Sequence, residues 1–256
     1  MDKVEHAKEI IERAIKAYPR IAIACSFGKD SMVVVDLARQ IDPDIPIFAV
    51  MTPYKPKETF IYLKEMNEAM GLNVTVYMVA DSVPEALQDP AIDVRLLPTD
   101  EFKERAARVL SETGRPIYEA DPDECCRILK VEPTKVAVKD LDAWICGLRN
   151  TEGRTRTDYQ EIEEKGGLVK FNPILTFTEA DVWRYMATRG IRPHPWYSLG
   201  YRSLGCEPCS HPGGELERDG RWQGTSKCGG ECGIHTQVLK GATPEPLRVR
   251  TEATWE

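Results

Sequence analysis

The chain has 256 residues, 42% hydrophobic and 29% charged, an ordinary globular composition with room for one large domain or two small ones. Lys and Arg number 34 against 41 Asp and Glu, so the net charge of −7 argues against nonspecific nucleic-acid binding, though it leaves room for a local basic pocket that takes a small anion. No apolar run approaches the roughly 20 residues of a membrane helix, and no membrane or nucleic-acid partner is expected.

The opening "MDKVEHAKEIIERAIKAY" is a charged amphipathic helix pattern, not a signal peptide, so a cytoplasmic location is expected. Its helix covers residues 4–17, with Val4, Ala7, Ile10, Ile11, Ala14 and Ile15 on one face. Residues 21–25 form a short β-branched apolar run, the pattern of a buried parallel strand. A loop and a helix follow. A second strand is expected over 45–50, a helix over 57–70 ending at Gly71, and a third strand over 73–79. Residues 81–124 are polar and read as a mostly helical insertion over the sheet. Two more strands are expected at 142–148 and 168–174, with a polar loop "RNTEGRTRTDYQ" between them. A helix with an acidic cap starts at Thr178 and runs to 189. Strands alternating with helices imply βαβ units: an α/β fold with a Rossmann-like parallel sheet and helices on both faces. We assign residues 1–190 to this nucleotide-binding domain. Residues 191–256, rich in Gly, Pro, Cys and His, form an irregular C-terminal segment expected to pack on it as a functional lid.

The segment "CSFGKDS" (25–31) joins the first strand to its helix. A helix N-terminus offers free N–H groups and the positive end of the macrodipole, which suits an anion. Gly28 permits close backbone approach, Ser26 and Ser31 add hydroxyls, and Lys29 adds charge. The alternative is an ordinary turn with Asp30 as the helix N-cap. The loop is not a Walker A motif. It resembles the pyrophosphate-binding loop of the adenine nucleotide alpha-hydrolase-like superfamily, which implies a nucleotide at the carboxyl ends of the strands.

Eight cysteines in a reducing compartment favour metal or redox roles over disulfides. Cys125 and Cys126 are adjacent in "ECCRILKVEP", and Cys206 and Cys209 form the C-x-x-C of "GCEPCS". Adjacent cysteines reach one tetrahedral zinc poorly, whereas a cubane cluster offers each thiolate its own iron. A [4Fe–4S] cluster is the favoured reading; zinc and no metal at all remain alternatives. Cys25 and Cys146 lie in apolar strand patterns and read as core. Cys228 is assigned no obligatory role.

"ECCRILKVEP", "WICGLR", "NPILTFTEADVW", "GYRSLGCEPC", "ERDGRW" and "ECGIH" follow in the order of the assimilatory sulfonucleotide reductases, and the resemblance covers residues 20 to 237. It implies a thiol-dependent oxidoreductase of the iron–sulfur type, which reduces adenylyl sulfate, or its 3′-phosphorylated form, to sulfite in sulfate assimilation. Cys232 is the implied nucleophile. Arg218 and Arg221, with Lys130 and Arg149, are the implied contacts to the phosphosulfate. Arg218, Arg221, Lys227 and His235 are candidate charges to lower the pKa of Cys232. Trp144 and Trp222 read as packing residues. The implied reductant is thioredoxin or glutaredoxin, the cluster's implied role is electrostatic, and a homo-oligomer is implied by the resemblance alone. No nicotinamide or flavin fingerprint competes.

The sequence departs from the family at "MTPYKPKETF" (51–60), where Met51, Pro53, Pro56 and Lys57 differ from the usual motif. The intact Lys29-Asp30-Ser31 leaves open an ATP pyrophosphatase that activates an acceptor by adenylation. An iron–sulfur nucleotide sensor is a third reading, which a placed Cys232 disfavours.

Overall fold

The computed structural model describes residues 2–153, 156–228 and 230–237. The remainder of the expected C-terminal segment, 238–256, lies outside the described residues.

Helix α1 (Lys3–Ala17) is capped by Asp2, whose side chain accepts from the Val4 N–H, and buries Ala7, Ile10, Ile11 and Ala14. Strand β1 (Ile21–Ala24) is followed by α2 (Lys29–Arg39), β2 (Ile47–Met51), α3 (Lys57–Met70) and β3 (Val74–Val79). Gly71 closes α3 at φ 61°, where a residue with a Cβ would be strained. The chain continues through β4 (Asp93–Leu97), α4 (Asp100–Thr113), α5 (Ile117–Ala120) and α6 (Pro122–Cys126). A π-helical turn over Arg127–Val131 leads into α7 (Glu132–Ala137). The last sheet strands are β5 (Ala143–Cys146), β6 (Ile162–Lys165) and β7 (Leu168–Phe171), before α8 (Glu179–Arg189). Thr178 and Asp181 form a reciprocal capping box at the start of α8.

The seven strands lie in the order β4-β3-β2-β1-β5-β7-β6. All pairs are parallel except β6 with β7. The larger core lies on one face, where α1, α2, α3 and α8 pack on β1, β2, β3, β5 and β7. On the other face Phe48, Tyr77 and Trp144 meet Val131 and Val138, from the π turn and the end of α7. The expected parallel sheet with helices on both faces is therefore present.

Two expectations are corrected. Residues 81–124 are mostly helical, but they are not only an insertion over the sheet: β4 extends the sheet beside β3. The loop after Arg149 gives way to β6, which forms a hairpin with β7. Both are edge strands with largely exposed, charged side chains, "DVRLL" and "IEEK". An edge strand buries little and needs no apolar alternation, so neither announced itself.

The chain leaves β1 toward β2, β3 and β4, then returns to place β5 on the other side of β1. That reversal opens a crevice above the carboxyl ends of β1 and β5, the usual ligand position in an open α/β sheet. Residues 191–228 and 230–237 lie across this crevice. The Glu207 N–H donates to the Tyr54 carbonyl (2.7 Å), and the Tyr197 hydroxyl accepts from the Lys29 N–H (2.8 Å).

Candidate active site

The crevice is a cleft of about 200 Å³. Its floor comes from Ala24, Cys25 and Ser26 at the end of β1, and Cys146 and Gly147 at the end of β5. A Cβ on Gly147 would sit 2.7 Å from the Asp30 carbonyl carbon, so only glycine lets the end of β5 touch the first turn of α2. The cleft brings together Ser26, Gly28, Lys29, Asp30, Ser31, Lys130, Arg218, Arg221, Cys232 and His235. Arg149, the remaining expected substrate contact, lies behind the lining and is fully buried.

The loop of residues 25–31 is tightly tied. Gly28, not Asp30, is the N-cap residue of α2, and Asp30 sits in the first turn. Phe27 is held at φ 59°, a strained conformation for a buried aromatic. The Ser31 hydroxyl donates to the Gly28 carbonyl (3.0 Å) and lies 3.2 Å from Ser26 Oγ. The Lys29 ammonium is buried; it pairs with Glu217 and donates to the Arg202 carbonyl (2.9 Å). Arg149 binds Asp30 (2.5 Å) and Glu217 (2.5 Å). Lys29 and Arg149 are thus neutralised by carboxylates of the protein itself.

A second buried network holds the segment that carries Cys232. Arg156 pairs with Glu152 and forks onto Glu231 through Nε (2.5 Å) and Nη2 (3.0 Å). Arg218 reaches the same two acids, at 3.2 Å and 3.4 Å. Glu231 Oε1 then accepts the Cys232 N–H at 2.9 Å. These cations hold the Glu231 carboxyl down to about 2 against the effect of burial. Sequence reasoning missed Glu152, Arg156, Glu217 and Glu231. Each is an ordinary charge in a polar stretch, and only the fold makes it buried and paired.

Cys232 is half-buried at the N-cap of α9 (Gly233–Thr236). Its thiol is pulled well below the usual range by a hydrogen bond with Cys126, by the Lys130 ammonium and by the Ile234 N–H, against the effect of burial. His235 does not supply the positive charge expected of it. Burial, with Arg156 and Lys170 nearby, lowers its pKa to about 3, so the ring is neutral at physiological pH. It stacks on Trp144 instead, at 6.1 Å and 18°. Lys227 is turned away to Asp123 (2.5 Å), and its charge is felt at Cys125, Cys126 and Cys209. Among the cations, Lys130 acts most strongly on the Cys232 thiol.

Trp222 is buried at φ 52°, with Lys130, Arg218, Arg221 and Lys227 all within 6.0 Å of its ring. Arg221 lies 4.3 Å over that ring and donates to the Cys209 and Leu204 carbonyls. A Cβ at residue 205 would lie 2.2 Å from its guanidinium, so Gly205 makes room for it. Arg218 Nε, Trp222 Nε1 and His235 Nδ1 are buried around the cleft without a hydrogen-bond partner among the described residues. Unsatisfied polar atoms beside a cleft are what a polar ligand would complete.

Next to the cleft, Cys125, Cys126, Cys206 and Cys209 line one small cavity with Tyr54, Tyr118 and Lys130. All four thiols are free. Burial and crowding push Cys125 up to about 12 and raise Cys209, while Cys126 is raised first by its hydrogen bond with Cys232 and then by burial. Cys206 goes the other way: Lys130, Lys55 and a Thr52 hydroxyl at 3.1 Å outweigh the effect of burial. Cys25 and Cys146 are buried, as expected, and pushed up to about 11 and 12. Cys228 is exposed.

Lys55 also lines the cleft and was not anticipated. It is half-buried in the turn between β2 and α3, held by its N–H to the Thr52 carbonyl (3.0 Å).

A doubly wound sheet, a cleft at its switch point and a half-buried thiol at the mouth define an α/β protein of the doubly wound class with a cysteine in its cleft. The chain belongs to the family of the phosphoadenosine phosphosulfate reductase domain, whose model matches residues 20–212. It is 31% identical over 242 residues to the adenosine 5′-phosphosulfate reductase of Chelativorans sp. (strain BNC1), covering 93% of this chain and 89% of that protein. It is also 31% identical over 240 residues to adenosine 5′-phosphosulfate reductase 1 of Bacillus subtilis (strain 168), covering 91% and 92%. The fold resembles the phosphoadenylyl-sulfate reductase of Candida auris, solved as a phosphate complex, with TM-score 0.60, 19% identity, and 79% of this chain and 88% of that chain covered. A similar likeness, with TM-score 0.57 and 13% identity, holds for the FMN adenylyltransferase of Candida glabrata, covering 82% and 64%.

Proposed function

We propose that this protein is a cytoplasmic, thiol-dependent adenylyl-sulfate reductase that forms sulfite and AMP in sulfate assimilation. The observation that carries this reading is Cys232, poised beside Lys130 at a cleft whose cationic wall includes Arg218 and Arg221. The Cys232 thiolate attacks the sulfate sulfur. A sulfur–sulfur bond forms as the bridging sulfur–oxygen bond breaks, and the electron pair leaves on the phosphate oxygen of AMP. Lys130 and Arg221 would neutralise the oxyanions as the two anions approach. A dithiol protein, thioredoxin or glutaredoxin, then attacks Cys232 Sγ and sulfite leaves with the bonding pair. The reductant's second thiol closes its own disulfide and returns Cys232 as the thiol. Cys232 must leave the cleft for that exchange, which its place on a short irregular segment permits.

The four cysteines that share one cavity fit a [4Fe–4S] cluster: the donor set is all sulfur, and two of the thiols are adjacent. Cys125, Cys126, Cys206 and Cys209 would hold it. When bound it would tie the π turn to the C-x-x-C turn and place a polarisable charge beside the cleft. Cys126 would then be a ligand, leaving Lys130 and the Ile234 N–H to favour the Cys232 thiolate.

The ATP-cleaving alternative has less support. Pyrophosphate at the α2 N-terminus would have to displace the Tyr197 hydroxyl from the Lys29 N–H and Glu217 from the Lys29 ammonium. The test is anaerobic: the reduced protein is mixed with adenylyl sulfate and no added thiol. One sulfonate adduct on Cys232 with stoichiometric AMP is expected. No adduct and no AMP, or pyrophosphate released from ATP, would overturn the reading.

A further inference from the structure

Six cations line the cleft, and their occupations differ. Lys29, Arg156 and Arg218 are bound to carboxylates. Arg221 donates to two carbonyls and lies on Trp222, and Lys130 also faces that ring. The Lys55 ammonium has no hydrogen bond, ion pair or ring contact among the described residues. It is nevertheless not a solvated surface lysine. Its charge is felt at Cys25 on the cleft floor, at Cys206 in the cysteine cavity and at His194. Burial, with Lys130 and Arg221 close by, lowers its own pKa to about 8.

The backbone under Lys55 is fixed. Thr52 Oγ1 lies 3.1 Å from Cys206 Sγ, and the Tyr54 carbonyl accepts the Glu207 N–H at 2.7 Å. The turn is therefore clamped to the C-x-x-C segment on both sides of the Lys55 N–H bond. A partly buried ammonium held next to two other cations is costly until an anion joins them. Three cations with no carboxylate partner among the described residues, Lys55, Lys130 and Arg221, line the cleft with Cys232 and act on it. The other lining cations among the described residues, Lys29, Arg156 and Arg218, are already paired with carboxylates.

We infer that Lys55 is a substrate-contacting residue that completes, with Lys130 and Arg221, the seat for the sulfonate end of adenylyl sulfate. The inference rests on the reaction proposed above. Lys55 is placed to hold the oxyanions while Cys232 attacks. A competing role is possible chemically: a counter-charge for the four thiolates, with no contact to substrate.

The test uses the metal-loaded protein with Cys232→Ser, so that substrate binds without reacting. Affinities for adenylyl sulfate and for AMP are measured with Lys55 intact, with Lys55→Met and with Lys55→Arg, and iron content is measured alongside. Lys55→Met is expected to weaken adenylyl sulfate at least tenfold and AMP no more than threefold, with iron unchanged. Lys55→Arg is expected to restore adenylyl sulfate to within threefold. Equal loss for both ligands, a loss below twofold, or a loss that tracks missing iron would overturn the inference. If the protein with Lys55 intact forms no Cys232 adduct, the reaction itself has failed, a result distinct from any of these.

Discussion

Arg156 is expected to act as the latch that keeps Cys232 in the cleft, although it touches neither the thiol nor the proposed sulfonate seat. It is buried and forks onto Glu231, which in turn accepts the Cys232 N–H. Removing one partner of a buried pair costs about 3–5 kcal/mol, because the remaining charge stays buried without its counter-ion. Arg218 still reaches both Glu152 and Glu231, which places Arg156→Met at the low end of that range. Taking ~3 kcal/mol and tenfold per 1.4 kcal/mol, the equilibrium constant for docking the segment falls by about a hundredfold, and the docked fraction with it where docking is marginal in the parent. The background carries Cys228→Ala, since Cys228 is exposed and would confuse a thiol assay. Two rates are read: single-turnover formation of the Cys232 adduct from adenylyl sulfate, and alkylation of Cys232 by iodoacetamide. The first is expected to fall by about two orders of magnitude and the second to rise. Glu231→Gln keeps an oxygen for the Cys232 N–H while losing the charge, so it should fall between parent and Arg156→Met. If both rates stay within threefold of the parent in Arg156→Met, the latch does not exist.

Three further outcomes follow from the same geometry. His194 accepts the Trp196 N–H at Nδ1, so Nε2–H donates to Thr59, and burial with Lys55 nearby lowers its pKa from 6.5 to about 4. The unfolded chain binds the proton first as pH falls, so stability should drop between pH 6.5 and 4 by up to about 1.4 kcal/mol per unit. His194→Gln should flatten that slope in urea titrations, and an unchanged slope would refute a buried neutral imidazole. Cys206→Ala should abolish a visible iron–sulfur chromophore of about four irons per chain; stoichiometric zinc in the parent would refute the cluster assignment. Thr178→Ala removes the capping box of α8 and should cost about 1 kcal/mol in thermal or urea unfolding without affecting AMP binding. A change below a few tenths of a kcal/mol would show that the cap is not used.

Much of this protein follows from local pattern. The apolar runs of β1, β2 and β3, the glycine stop at Gly71 and the Thr178 cap are readable because each is set by residues within a few positions of one another. The cysteine pairs and "ECGIH" are equally local, and chemistry this dependent on residue type leaves a signature in one dimension. The edge strands β4 and β6 left none, because a strand exposed on its outer side needs no apolar period. What only the tertiary structure decided is which charges are free. In the sequence, Lys29, Arg149, Arg156 and Lys55 are alike, four cations in polar stretches. Folding sets Glu217 and Asp30 against Lys29 and Arg149, and Glu152 and Glu231 against Arg156, while Lys55 and Lys130 receive no carboxylate among the described residues. It also makes His235 neutral, by burying it beside other cations. Charge state and counter-charge depend on burial and on partners up to 188 residues away in the chain, so no local reading of the sequence can assign them.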